Sequence, residues 1–215
     1  MFDTTRPYIK GSTLEIGSGI GNISDMFIQQ GMPLYLSDLE DKYCRILSKR
    51  FLGEPMVRSI FRIDLRHPDF GHKYAELLGR FSTVFALNVV EHIPNDKLAI
   101  ANAKLLLRKR GHLIVLVPAY MALYNGLDLG LEHWRRYNRQ SIRKLLSKDF
   151  EILKVQYFNM VGILGWWLSG SALGKKELPE EPLSFYNKLV PMFQISDAIT
   201  FKQVGLSVIA VGKRN

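Results

Sequence analysis

The sequence is poor in cysteine and has no long apolar run. Cys44 is the single cysteine among 215 residues, so neither a disulfide framework nor a cysteine-based metal cluster can form. No uninterrupted apolar stretch reaches the ~18 residues that a membrane-spanning helix needs, and the amino-terminal MFDTTRPYIKG lacks the basic and then apolar order of a secretory signal. These absences argue against a disulfide-rich secreted domain and an integral membrane protein. We expect a cytoplasmic protein, with peripheral contact at a membrane left open.

Acidic residues are scarce relative to basic ones. Lys and Arg total 29 against 20 Asp and Glu, and the formal net charge of +9 favours anionic partners such as phosphates, nucleic acid or a lipid surface. The basic residues are scattered in small groups, without the aromatic-interleaved ladder typical of single-strand binders, so nucleic acid is the least favoured partner. Hydrophobic residues make up 47% and charged residues 23%, which predicts one folded domain spanning residues 1–215.

Short apolar runs alternate with longer segments of helical period through the first half of the chain. This pattern predicts an α/β fold in which a mostly parallel sheet carries helices on both faces. The predicted strands cover residues 13–16, 34–38, 56–61, 82–88, 112–118, 150–158 and 206–212. The predicted helices cover residues 22–30, 41–51, 96–108 and 140–148. Gly111 is expected to separate the third helix from the strand that follows it.

The alternation stops after Pro118. Residues 159–203 are too many for a simple connector between the last two strands, so we predict that they form a cap over a site. Core packing of this cap is the ordinary interpretation of Trp166 and Trp167. An amphipathic membrane contact is the alternative, because Lys175 and Lys176 follow them.

The stretch LEIGSGIGN, residues 14–22, places three glycines between the first predicted strand and a helix. Such a turn directs backbone N–H groups at the carboxyl edge of a sheet, where open α/β folds bind ligands. In the dinucleotide fingerprint G-x-G-x-x-G, Gly17 and Gly19 would be followed by a glycine at position 22, but the chain has Asn22 there and its third glycine at Gly21. The spacing argues against a pyrophosphate cradle.

Acidic residues end three successive predicted strands. Glu15 beside the turn would repel a phosphate and would suit a positively charged ligand. Asp38 can accept both hydroxyls of a ribose, and Asp64 can accept a hydrogen bond from an adenine amino group. Together, these carboxylates and the glycine turn favour a ligand that combines a nucleoside with a positive charge.

At this point the chain resembles the class I S-adenosylmethionine-dependent methyltransferases, within a subgroup similar to methyltransferase types 11 and 12. The matching motifs, which cover nearly the whole chain in the right order, are LEIGSGIGN, LSDLE, RIDL, ALNVVEHIPND and LLLRKRGHLIVLVPA. The resemblance implies a Rossmann-like sheet of seven strands with an antiparallel last strand, a helical cap insertion, and S-adenosylmethionine as the cofactor. The cofactor-binding residues that it implies are Glu15, Gly17, Ser18, Gly19, Gly21, Asn22, Asp38, Leu39, Asp64, Leu65, Asn88 and Val89.

The second half of the chain bears on the acceptor. LGLEHWRRYN and YFNMVGILGWWLSG look like a subgroup associated with cell-surface glycan or lipid-linked sugar pathways, in which a glycine commonly stands where this chain has Glu132. His92 and His133 are the candidate bases, with structural roles as the alternative. Arg135, Arg136 and Tyr137 are predicted to bind an acidic or phosphorylated acceptor. The alternative is that they belong to a solvated turn before a helix. No metal ion is expected.

The sequence thus predicts a methyltransferase that acts on an oxygen or nitrogen atom of a small-molecule or lipid-linked acceptor. Methyl transfer from a sulfonium is an in-line displacement, so alignment of the acceptor can supply much of the catalysis, and a base is needed only if the acceptor must lose a proton. A non-catalytic module that binds S-adenosylmethionine is the alternative. A nicotinamide oxidoreductase is disfavoured by Asn22 and Glu15.

Overall fold

The computed structural model describes residues 2–167 and 203–215, which form a seven-stranded sheet in the order β3-β2-β1-β4-β5-β7-β6. The strands are β1 Thr13–Ile16, β2 Leu34–Asp38, β3 Val57–Arg62, β4 Phe81–Leu87, β5 Leu107–Pro118, β6 Phe150–Phe158 and β7 Ser207–Arg214. Pairing is parallel from β3 to β5, whereas β7 is antiparallel to both β5 and β6. The predicted fold class, with its antiparallel last strand, is confirmed.

Helices cover the two faces of the sheet. Their bounds are α1 Phe2–Thr5, α2 Asn22–Ile28, α3 Asp41–Arg50, α4 Phe70–Lys73, α5 Asp96–Leu106, α6 Gly126–Gly130, α7 Arg139–Ser147 and α8 Gly162–Trp166. Left-handed glycines flank α2, because Gly21 before it has φ 86° and Gly31 after it has φ 72°. All four predicted helices are present, and their ends differ from the predicted ones by one or two residues.

Two apolar layers form the core, one on each face of the sheet. Successive residues of a strand point to opposite faces, so in β4 Val84 packs into one layer and Phe85 into the other. Helices α5 and α7 cover the first layer, and α2 and α3 cover the second. Both faces of the central strands are buried, which explains their continuous apolar runs.

The role predicted for Gly111 is wrong. Helix α5 ends at Leu106 and β5 begins at the next residue, so Gly111 lies inside the strand. The pairing of β4 with β5 shifts there, and a Cβ on Gly111 would lie 2.9 Å from the carbonyl oxygen of Arg108 in the same strand and 3.1 Å from that of Ser82 in β4. Glycine is required because this irregular pairing brings two backbones together.

Most of the predicted cap, residues 159–203, lies outside the described residues, as do Lys175 and Lys176. Of the described part, Trp166 at the end of α8 donates from its indole N–H to the carbonyl of Leu123 at 3.2 Å, and Trp167 is 53% exposed. Among the residues that the structure describes, every helix is too short or too polar to cross a lipid bilayer.

Candidate functional site

A cavity of about 570 Å³ opens at the carboxyl ends of β1, β2 and β4. Its volume falls within the range of pockets that hold small organic ligands. Parallel strands bring their carboxyl ends to one edge, and helices that begin there add backbone N–H groups. The cavity is therefore at the edge where the motifs predicted a cofactor.

The glycine turn, residues 17–21, forms one wall of this cavity. Gly17 has φ 72°, and a Cβ at this position would lie 2.5 Å from the Cγ2 atom of Val89. The backbone N–H of Ser18 donates to the carbonyl of Ser37 at 2.9 Å, which fastens the turn to β2. A side chain at Gly17 would therefore push the turn away from the loop after β4.

Asp38 ends β2 beside this turn and is buried. Its Oδ2 atom accepts a hydrogen bond from the N–H of Gly19 at 2.9 Å, and its Oδ1 atom accepts one from the N–H of Glu40 at 3.0 Å. A carboxylate has about four acceptor positions, so two hydroxyl groups of a ligand can still donate to it. Asp38 thus orders the turn and faces the cavity at the same time.

Glu15 is placed behind the turn rather than in the cavity wall. It is 3% exposed, and one of its carboxylate oxygens accepts a hydrogen bond from the hydroxyl of Ser24 at the start of α2. Burial raises the pKa of Glu15 to about 7, against the opposing effect of hydrogen bonds from Ser24 and Ser18. Glu15 therefore supports the turn from the core.

Asp64 also lines the cavity, and its carboxylate is paired with Arg66. The Arg66 Nε atom donates to Asp64 Oδ1 at 2.9 Å, and the Asp64 N–H donates to the hydroxyl of Tyr74 at 2.9 Å. Partial burial favours the neutral acid, but the hydrogen bonds and charge of Arg66 outweigh it and lower the pKa of Asp64. The carboxylate is thus held ionised at the cavity wall.

The structure divides the predicted cofactor residues into two groups. Those that line the cavity are Gly17, Gly19, Asp38, Leu39, Asp64, Leu65, Asn88 and Val89. Glu15, Ser18 and Gly21 do not line it and are buried, whereas Asn22 is exposed at the start of α2. Lining residues that sequence reasoning missed are Ile16, Glu40, Tyr43, Ile63, Arg66, Ile93, Leu131 and Glu132. Most of these adjoin a residue that was predicted, so strand-end position was the signal that could have found them.

The second candidate region joins the turn after β4 to residues 125–138, which we call the docked segment. His92 lines the cavity, and its ring lies edge-on to that of His133, with 4.7 Å between centroids. The Nδ1 atom of His133 is 2.8 Å from Oδ1 of the fully buried Asp128. Partial burial of the ring and the neighbouring His133 lower the pKa of His92, which keeps its imidazole neutral.

The three predicted acceptor residues of the docked segment are engaged within the chain instead of at the cavity. Arg136 has a side chain only 1% exposed, and its Nε atom donates to Asp128 at 2.8 Å. Arg135 donates to the carbonyls of Ile93 and Pro94, and the Tyr137 hydroxyl donates to Asp96 at 3.0 Å. Their hydrogen-bonding groups therefore fasten the docked segment, and direct acceptor contact by them is not what the geometry favours.

Known structures share this fold. An S-adenosylmethionine-dependent methyltransferase from Archaeoglobus fulgidus has a TM-score of 0.63 at 14% identity, over 99% of this chain and 91% of that chain. Phosphoethanolamine N-methyltransferase 2 of Haemonchus contortus, in complex with S-adenosyl-L-methionine, has a TM-score of 0.61 at 14% identity, over 98% and 51%. The [4+2]-cyclase SpnF has a TM-score of 0.63 at 13% identity, over 99% and 79%. At these identities the likeness is one of fold.

Sequence comparison shows the family of the chain, whereas the structural matches show its fold. No protein of curated function matches the chain. A family model described as a methyltransferase domain matches residues 8–155, which include the glycine turn, Asp38, Asp64 and the docked segment. The chain therefore belongs to the methyltransferase domain family and is, as its motifs predicted, a class I S-adenosylmethionine-dependent methyltransferase.

Proposed function

We propose that this enzyme transfers the methyl group of S-adenosylmethionine to an oxygen or nitrogen atom of a small-molecule or lipid-linked acceptor that binds beside His92 and His133. The observation that carries the proposal is the hydrogen bond of 2.8 Å from the Nδ1 atom of His133 to buried Asp128, next to a second histidine on the cavity wall. An imidazole oriented by a carboxylate is an arrangement that accepts or polarises a proton.

The cofactor would lie along the strand ends. Asp64 suits the adenine edge, Asp38 suits the ribose hydroxyls, and the glycine turn gives the methionine part a backbone wall. This order leaves the transferable methyl group towards Asn88 and His92, at the far end of the cavity. The acceptor atom and the histidines would then meet at the same place.

Methyl transfer requires that the acceptor atom be aligned with the methyl group and, for a hydroxyl acceptor, that one proton be removed. The acceptor atom forms a bond to the methyl carbon with its own lone pair. The carbon–sulfur bond breaks at the same time, and the electron pair of that bond returns to sulfur and neutralises the sulfonium. Holding the two atoms in line can supply a large part of the rate. For a hydroxyl acceptor, a lone pair on an imidazole nitrogen would assist loss of its proton, and the lowered pKa of His92 favours the neutral form of that ring.

Incubation with methyl-labelled S-adenosylmethionine tests the proposal. Wild-type enzyme is mixed with an aqueous and a lipid fraction of its own cells, and labelled product and S-adenosylhomocysteine are measured in each. We expect label in one fraction, and a loss of ~100-fold or more in His133→Ala with the affinity for S-adenosylmethionine retained by calorimetry. His72→Ala, at a surface position 89% exposed, is the matched control. Transfer unchanged in His133→Ala would contradict the proposal.

The lipid arm of this experiment addresses peripheral membrane contact, which we propose together with a lipid-linked acceptor. Exposed apolar side chains in the second half support it: Leu129 is 67%, Trp134 61% and Leu164 70% exposed. Such side chains can enter a membrane interface. Label confined to the aqueous fraction, with no sedimentation of the protein on anionic vesicles, would count against it.

A function without methyl transfer is the second candidate. The fold is shared with SpnF, a [4+2]-cyclase, and one fold can support different reactions. This candidate predicts that S-adenosylmethionine binds while no S-adenosylhomocysteine appears with either fraction. The same labelled incubation therefore separates the two functions.

A further inference from the structure

Three side chains, one of them on the cavity wall, converge on one point. Glu91, His92 and His133 each offer one nitrogen or oxygen atom, and these atoms all lie within 4.8 Å of one another. Glu91 and His92 belong to the short 3-10 turn after β4. The docked segment brings His133 to them, because the N–H of Trp134 donates to the carbonyl of Glu91 at 2.9 Å.

Glu91 is the unusual member of this group. Its side chain is 0% exposed, and among the described residues neither carboxylate oxygen has a hydrogen-bond partner. Buried carboxylates in proteins are normally paired, hydrogen-bonded or bound to a metal ion, because an isolated one is costly. A cation bound to the oxygens of Glu91 would supply the missing partner.

His133 is held as a metal ligand usually is. Its Nδ1 atom faces Asp128, whose other oxygen accepts from the N–H of Asn125 at 3.0 Å. Asp128 also accepts a hydrogen bond from the Nε atom of Arg136 at 2.8 Å, so its carboxylate acts as an acceptor. The proton shared with His133 then lies on Nδ1, which leaves the lone pair on Nε2. A carboxylate behind a histidine orients the ring in the same way at many metal sites.

We propose that Glu91, His92 and His133 bind a divalent transition-metal ion, zinc or a chemically similar cation. Two imidazoles and one carboxylate form a donor set that suits Zn²⁺ and its first-row neighbours better than Mg²⁺ or Ca²⁺, which prefer oxygen ligands alone. Three protein ligands leave at least one coordination position. His92 lines the cavity, so this position is accessible from the side where the acceptor would bind.

The consequence for catalysis rests on the proposed methyl transfer, whereas metal binding itself does not. A hydroxyl oxygen bound to the ion loses its proton to solvent more readily. That oxygen then forms the bond to the methyl carbon, and the carbon–sulfur electron pair returns to sulfur. The histidines would act through the ion and not as a free base.

Metal binding is tested on the full chain after removal of metals with a chelator. Calorimetry with Zn²⁺ and absorption spectra with Co²⁺ are expected to show one site, with no competition from Mg²⁺. Removing a ligand, as in Glu91→Gln, His92→Ala or His133→Ala, is expected to weaken binding beyond the ~10–100-fold that loss of an outer partner causes. Asp128→Asn is expected to fall within that smaller range. His72→Ala, an exposed histidine outside the cluster, should retain the site.

The outcomes separate this inference from the proposed function. Co²⁺ spectra unchanged in the three ligand variants, or weakened equally in His72→Ala, would overturn the metal site. If Glu91→Gln fails to fold in the chelator, His92→Ala at its exposed position supplies the result. Label transfer that persists in the chelator, with no metal bound, would overturn the catalytic role of the ion and leave methyl transfer standing. Metal binding without any label transfer would overturn methyl transfer and leave the metal site standing.

Discussion

The two ends of the cavity are built in different ways, and a buried acid at each end shows it. The glycine turn is supported by Glu15, whose partners are the neutral hydroxyls of Ser24 and Ser18 and whose pKa rises to about 7 through burial. The docked segment is supported by Asp128, whose pKa is lowered despite burial by hydrogen bonds from His133 and Arg136 and by the charge of Arg136. The turn avoids burying a full charge, whereas the docked segment buries one and compensates it.

The two ends also differ in how far apart in the sequence their contacting residues lie. The turn and Asp38 follow consecutive strands, so the fold itself brings them together. The docked segment must find its place by contacts such as the one from Arg135 to the carbonyl of Ile93, 42 residues away in the sequence. The cofactor end is therefore set by strand order, and the acceptor end is set by a buried polar network.

The largest predicted effect concerns that network. In Arg136→Ala the carboxylate of Asp128 loses a partner inside the core, and we expect a loss of about 3–5 kcal/mol in the free energy of unfolding. The melting temperature should fall by roughly 10 °C in calorimetry. Arg143→Ala, at an exposed position of α7, is the control. A melting temperature unchanged in Arg136→Ala would show that the docked segment does not depend on this charge.

This difference between the two ends also explains which features of the fold and the site could be predicted from the sequence. Strand order, the glycine turn and Asp38 were predictable, because periodicity and spacing report which residues end parallel strands. The inward orientation of Arg136 and Tyr137 was not, since a run of charged and aromatic residues has the same appearance on a surface and in a buried network. Glu91 was missed for a related reason: burial without a partner is a property of the folded chain, not of its local sequence.

The second prediction uses the opposite signs of the two acids. Because the pKa of Glu15 rises from 4.5 to about 7 on folding, the native state binds its proton more tightly than the unfolded state. Glu15 therefore reduces stability progressively as the pH rises through this window, by about 3 kcal/mol in total. In Glu15→Gln, the stability difference between pH 5 and pH 8 should shift by this amount in denaturant unfolding. Asp41→Asn, in an exposed ion pair, should keep the wild-type pH slope.

The third prediction concerns the cofactor end alone. Gly17→Ala places a Cβ 2.5 Å from Val89, so the turn must move and the affinity for S-adenosylmethionine should fall by about 100-fold. Gly31→Ala is matched, because it has the same φ of 72° but open space around the added Cβ. It should lose stability and keep the affinity, as measured by calorimetry. Equal affinities in the two variants would show that contact with Val89 does not shape the cavity.

The smallest effect is expected where one side chain serves both the turn and the ligand. Asp38→Ala removes the acceptor for the N–H of Gly19 and the predicted acceptor for the ribose, and we expect about 30-fold weaker binding of S-adenosylmethionine. Asp38→Asn keeps one carbonyl oxygen and should lose less. Asp25→Ala, which breaks a partly exposed ion pair of 3.4 Å with Arg50 and a hydrogen bond from Gln29, should bind as wild type does. If Asp38→Ala binds as tightly as Asp25→Ala, the turn holds the cofactor through its backbone, and strand order alone defines this end of the cavity.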